Sequence, residues 1–201
     1  MLVMNSRLIN APVLSVQAGG TIGRVVSSIV DPNNLKIIAF ILSGPLIDKN
    51  QNILDVRSIR EYSNFGFVID DIDELVGPED VIKIADILKL NFNLINLKVE
   101  TKKGKKLGKV INYTVTSEDF ITQQIIVKRP AIKSFVDSEL TIPRKEITEV
   151  TDYIIIIKDE EKTLKKKAEK EEFVPNFVNP FRNHEPGFAP ADTKNPDAED
   201  N

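Results

Sequence analysis

The sequence predicts a mainly β protein: two small β-barrels in tandem, joined by a short helical connector, then a charged helix and a disordered C-terminal tail. Three observations carry this reading. The 201-residue chain matches itself at an offset of 85. Each copy shows the alternating, β-branched pattern of strands punctuated by turn residues. Beyond residue 158 the apolar periodicity stops, and charge and then proline take over.

The repeat is clearest where Gly19-Gly-Thr-Ile-Gly-Arg-Val-Val26 lies over Gly104-Lys-Lys-Leu-Gly-Lys-Val-Ile111. Across 19–42 and 104–127, five of 24 positions are identical, among them Gly23/Gly108 and Val25/Val110. A fixed period of this kind marks a duplicated structural unit. The offset becomes 86 at Leu8-Ile-Asn10 over Leu94-Ile-Asn96, and 88 at Phe65-Gly-Phe67 over Tyr153-Ile-Ile155. Short loop insertions account for both slips.

The first unit, 6–70, opens with a glycine turn and a long strand. Ile22, Val26 and Val30 recur every four residues and are expected on one face of it, as are Leu107, Ile111 and Val115 in the second unit, 92–158. Asp31-Pro-Asn-Asn34 and Ser117-Glu-Asp119 are turn chemistry, each followed by a β-branched run, Ile37–Leu42 or Ile121–Val127. A short sheet of this kind hides its edges best by closing on itself. The connector, 71–91, is expected to be helical over Asp71–Val76 and again from Pro78 to Leu90. Pro78 suits a first turn, Glu79 and Asp80 complement the positive helix end, and Val81, Ile84, Ile87 and Leu88 form an apolar stripe that braces a barrel. Residues 159–172 are nearly all charged, with Glu161/Lys165 as a helix-supporting pair. Five prolines from Pro175 to Pro196 make 173–201 a disordered tail.

Composition excludes much chemistry. With no cysteine there is no disulfide, thiolate metal site or cysteine nucleophile, and the single histidine, His184, falls in the tail. Ser27, Ser28 and Ser43 have no histidine base in the folded units. Gly19–Gly23 lacks phosphate-loop spacing and enters a strand. Asp70, Asp71, Asp73 and Glu74 read as a favourable helix start, not a cation site. The expectation is a non-enzyme without cofactor or metal. No secretory signal is visible, and the longest aliphatic run, Ile154–Ile157, is too short for a membrane span. A cytoplasmic location without membrane insertion is expected.

Two features are candidate binding sites. Net charge is −3, yet residues 94–157 carry 11 basic and 8 acidic side chains. Lys102, Lys103, Lys105, Lys106 and Lys109 concentrate this excess on a hairpin that could contact phosphates or RNA, with Lys128, Arg129 and Lys133 as possible extensions. The tail keeps Phe173, Phe177, Phe181 and Phe188, and the near-repeat Val174-Pro-Asn-Phe177, Val178-Asn-Pro-Phe181 has the form of a partner-docking motif.

The Gly-x-x-Ile/Leu-Gly-Arg/Lys-Val turn and strand, the polar turn after it, and the later Leu54-Asp-Val56 and Leu140-Thr-Ile-Pro143 segments resemble the PRC-barrel. That small barrel is named for the photosynthetic reaction centre H subunit, and it also forms part of ribosome maturation factors that bind a small-subunit protein. The resemblance covers roughly 6–70 and 92–158, as in stand-alone tandem PRC-barrel proteins, and it brings no catalytic signature. The fold alone does not choose a role; the missing catalytic equipment, the tandem barrels and the tail motif together lead to the expectation of a non-enzymatic protein-interaction adaptor. The alternative is an RNA- or ribosome-associated maturation factor using the basic hairpin of the second barrel.

Overall fold

The computed structural model describes residues 1–130 and 138–159. The chain begins with β1 (Leu2–Met4) and a single helical turn, α1 (Asn5–Leu8). A first set of strands follows: β2 (Pro12–Ser15), β3 (Gly20–Asp31), β4 (Lys36–Ser43), β5 (Ile53–Asp55), β6 (Glu61–Ser63) and β7 (Gly66–Ile69). Helix α2 (Ile82–Leu90) leads to the second set: β8 (Lys98–Thr101), β9 (Lys106–Thr116), β10 (Thr122–Lys128), β11 (Glu139–Pro143), β12 (Ile147–Val150) and β13 (Ile154–Ile157). The charged helix and the tail expected from the sequence lie outside the described residues.

The protein is mainly β, with two sheets of one topology. Their strand orders are β5-β4-β3-β2-β7-β6 and β11-β10-β9-β8-β13-β12, with β1 added beside β9 in the second. Register repeats residue by residue. Pro12 faces Arg24 as Lys98 faces Lys109, Arg24 faces Ser43 as Lys109 faces Lys128, and Val13 lies parallel to Phe67 as Val99 does to Ile155. Gly23 and Gly108 occupy matching places for a steric reason: a Cβ on either would collide with the neighbouring strand's backbone at Ser43 or Lys128.

Even the irregularities are duplicated, and one corrects the expected strand face. Pairing skips a residue between Val25 and Ser27 on β3, and between Val110 and Asn112 on β9. The skipped residues, Val26 and Ile111, therefore turn outward: Val26 is 52% exposed, while Ile22, Val25 and Val30 are buried. A bulge adds one residue to a period of two, so the four-residue recurrence read from the sequence breaks at this point.

Helix α2 begins four residues later than expected. The Asp80 carboxylate accepts the Gly77 N–H at 2.6 Å, which closes Pro78–Asp80 into a turn, and Val81 is still extended at φ −120°. The helix ends at Asn91 in the left-handed conformation. Its residues Ile84 and Ile87 pack with Ile29, Ile38, Ala39 and Ile53 of the first sheet, and Ala85 is also buried. Lys83 adds an ion pair of 3.2 Å to Asp31 at the end of β3. The larger core runs continuously from one sheet to the other. Phe120 of the second repeat meets Phe40, Phe67 and Tyr62 of the first, with ring centroids 5.6, 6.2 and 6.3 Å away.

Candidate functional site

The lysine run divides between two places. Gly104, at φ +80°, turns the β8–β9 hairpin, and its N–H donates to the Thr101 carbonyl at 2.8 Å. Lys102, Lys103, Lys105 and Lys106 are exposed around this tip. The backbone N–H of Lys103 also donates to Asp159 at 3.3 Å. Lys109 stands apart from the tip, in the body of β9.

There Lys109 is the centre of a row that the linear run conceals. Lys98 of β8, Lys109 of β9 and Lys128 of β10 face one another directly across three adjacent strands, all exposed. Cross-strand partners stand ~5 Å apart at Cβ, and like charges so placed repel. None of the three makes an ion pair among the described residues. The matching row in the first sheet is Pro12, Arg24 and Ser43, with one cation. Sequence reading missed Lys98 because Val99, Glu100 and Thr101 separate it from the run. Its pairing with Lys109 rests on a register shift between Val99 and Glu100, which counting outward from the turn does not contain. Lys128 heads the segment toward Arg129, which is described, and Lys133, which lies outside the described residues.

Two clefts occupy matching positions in the repeats. One, of about 460 Å³, is lined by Leu90, Val150 and Asp152 together with Leu35 and Arg144. The other, of about 400 Å³, is lined by Met4, Tyr62 and Asn64 together with Arg7. The repeat offsets map Met4 onto Leu90, Tyr62 onto Val150 and Asn64 onto Asp152. The residue after each polar lining group is a fully presented aromatic. Phe65 is 82% exposed and Tyr153 is 81% exposed, each at the tip of its unit's last hairpin. Sequence reading used Phe65 and Tyr153 to align the repeats and did not single them out as a site.

Of the residues considered for chemistry, Asp70, Asp71 and Ser28 have local partners. Asp70 pairs with Arg60 at 2.6 Å, and Asp71 caps a short turn by accepting the Asp73 N–H at 3.2 Å. No group of three or more potential ligands is placed to hold a metal among the described residues. Ser28 bonds Asn5 at 3.1 Å and lies 2.7 Å from the Tyr113 hydroxyl. Burial pushes the Tyr113 phenol up to about 12, against the opposing effect of the Ser28 bond, so this pair carries no base at neutral pH. No helix among the described residues is long and apolar enough to cross a membrane. Phe173, Phe177, Phe181, Phe188 and His184 lie outside the described residues.

No protein-family model matches the chain, and no curated protein matches it.

Proposed function

We propose that the protein is a non-enzymatic interaction adaptor of the cytoplasm. In this reading the two sheets are PRC-like barrels in tandem, joined by a helical connector, and the phenylalanine-bearing tail extends their reach to a protein partner. The observation that carries it is a pair of clefts that share three counterpart lining positions, with an exposed aromatic, Phe65 or Tyr153, next in sequence to a lining residue of each. An aromatic more than four-fifths exposed is unfavourable in water, and aromatic side chains are the usual anchors of protein interfaces. Finding one at the same hairpin tip in both repeats, although so few neighbouring positions are identical, favours a binding role over chance exposure.

The test is affinity purification of the full chain, with and without nuclease, beside a Phe65→Ser/Tyr153→Ser variant and a variant lacking 173–201. A nuclease-resistant protein partner lost in either variant upholds the adaptor. Partners indifferent to both changes overturn it.

The lysine row favours a second reading, an RNA- or ribosome-associated factor. Three cations held in register across strands, with four more lysines at the adjoining hairpin, suit a phosphate backbone. Ribosomal proteins that disappear after nuclease treatment would favour this reading. So would RNA binding that weakens steeply with salt and is lost when Lys102, Lys103, Lys105 and Lys106 become glutamine.

A further inference from the structure

The contacts between the two sheets obey a rule that does not depend on the adaptor reading. Lys36 and Ile121 face each other in an isolated antiparallel bridge. The offset of 85 carries residue 36 onto residue 121. The Tyr113 hydroxyl lies 2.7 Å from the Ser28 hydroxyl, again a residue against its own counterpart. Beside the bridge the backbone exchanges hydrogen bonds. Ile37 N–H donates to the Phe120 carbonyl and Thr122 N–H to the Leu35 carbonyl, both at 3.0 Å, and the same offset turns each bond into the other. Three counterpart pairs, Asn5 with Asn91, Ile9 with Ile95 and Ser28 with Tyr113, are among the residues that line a cleft of about 390 Å³ at this junction.

Residues that meet their own counterparts lie on a two-fold axis. Repeats stacked head to tail would instead pair each residue with a different part of the next unit, which is the distinction between isologous and heterologous interfaces. The contact is made where each repeat closes a tight turn, Leu35 N–H donating to Asp31 and Phe120 N–H to Thr116. Leu35 and Phe120 hold φ of 52° and 55°, a region that bulky side chains rarely enter. Each is only 4% exposed, and each aims its carbonyl at the other repeat's N–H. Strain of this kind persists where surrounding contacts over-determine it, and here they come from the turn itself and from the opposite repeat.

We infer that the face formed by residues 28–37 and 113–122 is a self-complementary docking surface whose fitting partner is a second copy of the same repeat. Within one chain, the two repeats satisfy each other. The connector raises their effective concentration, and the bridge, the hydroxyl pair and the backbone bonds at residues 28–37 and 113–122 use none of its residues. Once the repeats are parted, the same face accepts a repeat from another chain, including a first repeat on a first repeat.

The test uses the full chain with a protease site after Asn93, which is exposed between α2 and β8. Two preparations, with different tags at the first residue, are cut and mixed. The expected result is that the pieces elute together at the size of the intact chain, and that first repeats bearing the two tags are recovered as one complex. Pieces that separate, or a mixture that never joins the two tags, overturn the inference. Should cutting abolish the β-sheet circular dichroism, the uncut chain decides through Ser28→Tyr, Tyr113→Ser and the double exchange. Across a two-fold axis the exchange rebuilds the contact, so the double variant regains most of the loss in urea midpoint seen for Tyr113→Ser. A double variant as unstable as the two losses combined overturns the inference.

Discussion

Asp31 shows how a single side chain is committed to the fold. It is buried at the end of β3 and accepts bonds from the backbone and side-chain amides of Asn33, both at 3.0 Å, and from Lys83 of α2 at 3.2 Å. Burial alone would raise its pKa, but the Asn33 and Lys83 bonds outweigh it and hold the carboxyl below the ordinary 3.8. Asp55 is likewise pushed up by burial and brought below 3.8 by the stronger combined effect of Arg57. A carboxyl with a depressed folded-state pKa binds its proton more readily in the unfolded chain. Its contribution to stability is therefore complete above the ordinary value and is lost as pH falls through the depressed one. Acid titration followed by circular dichroism should show this decline below about pH 4. It should be shallower in Asp31→Asn, which in urea at pH 7 should lose about 1 kcal/mol, because the buried bonds from Asn33 lose their charged acceptor while the exposed Lys83 stays solvated. The turn chemistry of Asp31-Pro-Asn-Asn34 was legible from residue types. The partner on α2 was not, since 52 residues separate Asp31 from Lys83.

At the scale of the element, the bulges on β3 and β9 set which side chains face outward. Gly108 has φ +144°, and a Cβ there would meet the Lys128 carbonyl. Gly108→Ala should thus part β9 from β10 at this point and cost roughly 3 kcal/mol, read as a lowered urea midpoint. The lysine row ends on the same pair of strands, and its like charges oppose folding. Lys109→Glu replaces a repulsive triplet with alternating signs across β8, β9 and β10. The variant is expected to gain about 0.5 kcal/mol at low salt. If the row binds phosphates, the same variant loses salt-dependent RNA affinity, so a gain in stability with a loss of binding separates function from folding. Strand positions and turns were readable from alternation and polar residues, but the outward turn of Val26 and Ile111 was not. A bulge is decided by the partner strand, which sequence periodicity does not contain.

For the whole molecule, Phe120 tests whether the two repeats are held by local turns or by each other. Its left-handed backbone favours glycine, so a turn considered alone should gain about 1 kcal/mol from Phe120→Gly. The ring also fills the junction against Phe40, Phe67 and Tyr62. Losing a buried ring costs more than the turn gains, and the full chain should fall by about 3 kcal/mol in equilibrium unfolding. A stabilised variant would mean that the aromatic junction is not what holds the sheets together. The sequence by itself determined the duplication, the β character of each unit and the shortage of catalytic residues. These follow from residue identity and local spacing, which the chain carries before it folds. Only the tertiary structure decided that Lys98 joins Lys109 and Lys128, that β1, which precedes the first repeat, pairs with β9 of the second, and that residues 36 and 121 meet across an axis. Those outcomes depend on strand register and on the packing of one repeat against the other. An alignment of the repeats shows which positions correspond, but the burial of Leu35, Phe120 and Tyr113 selects the geometry in which they meet.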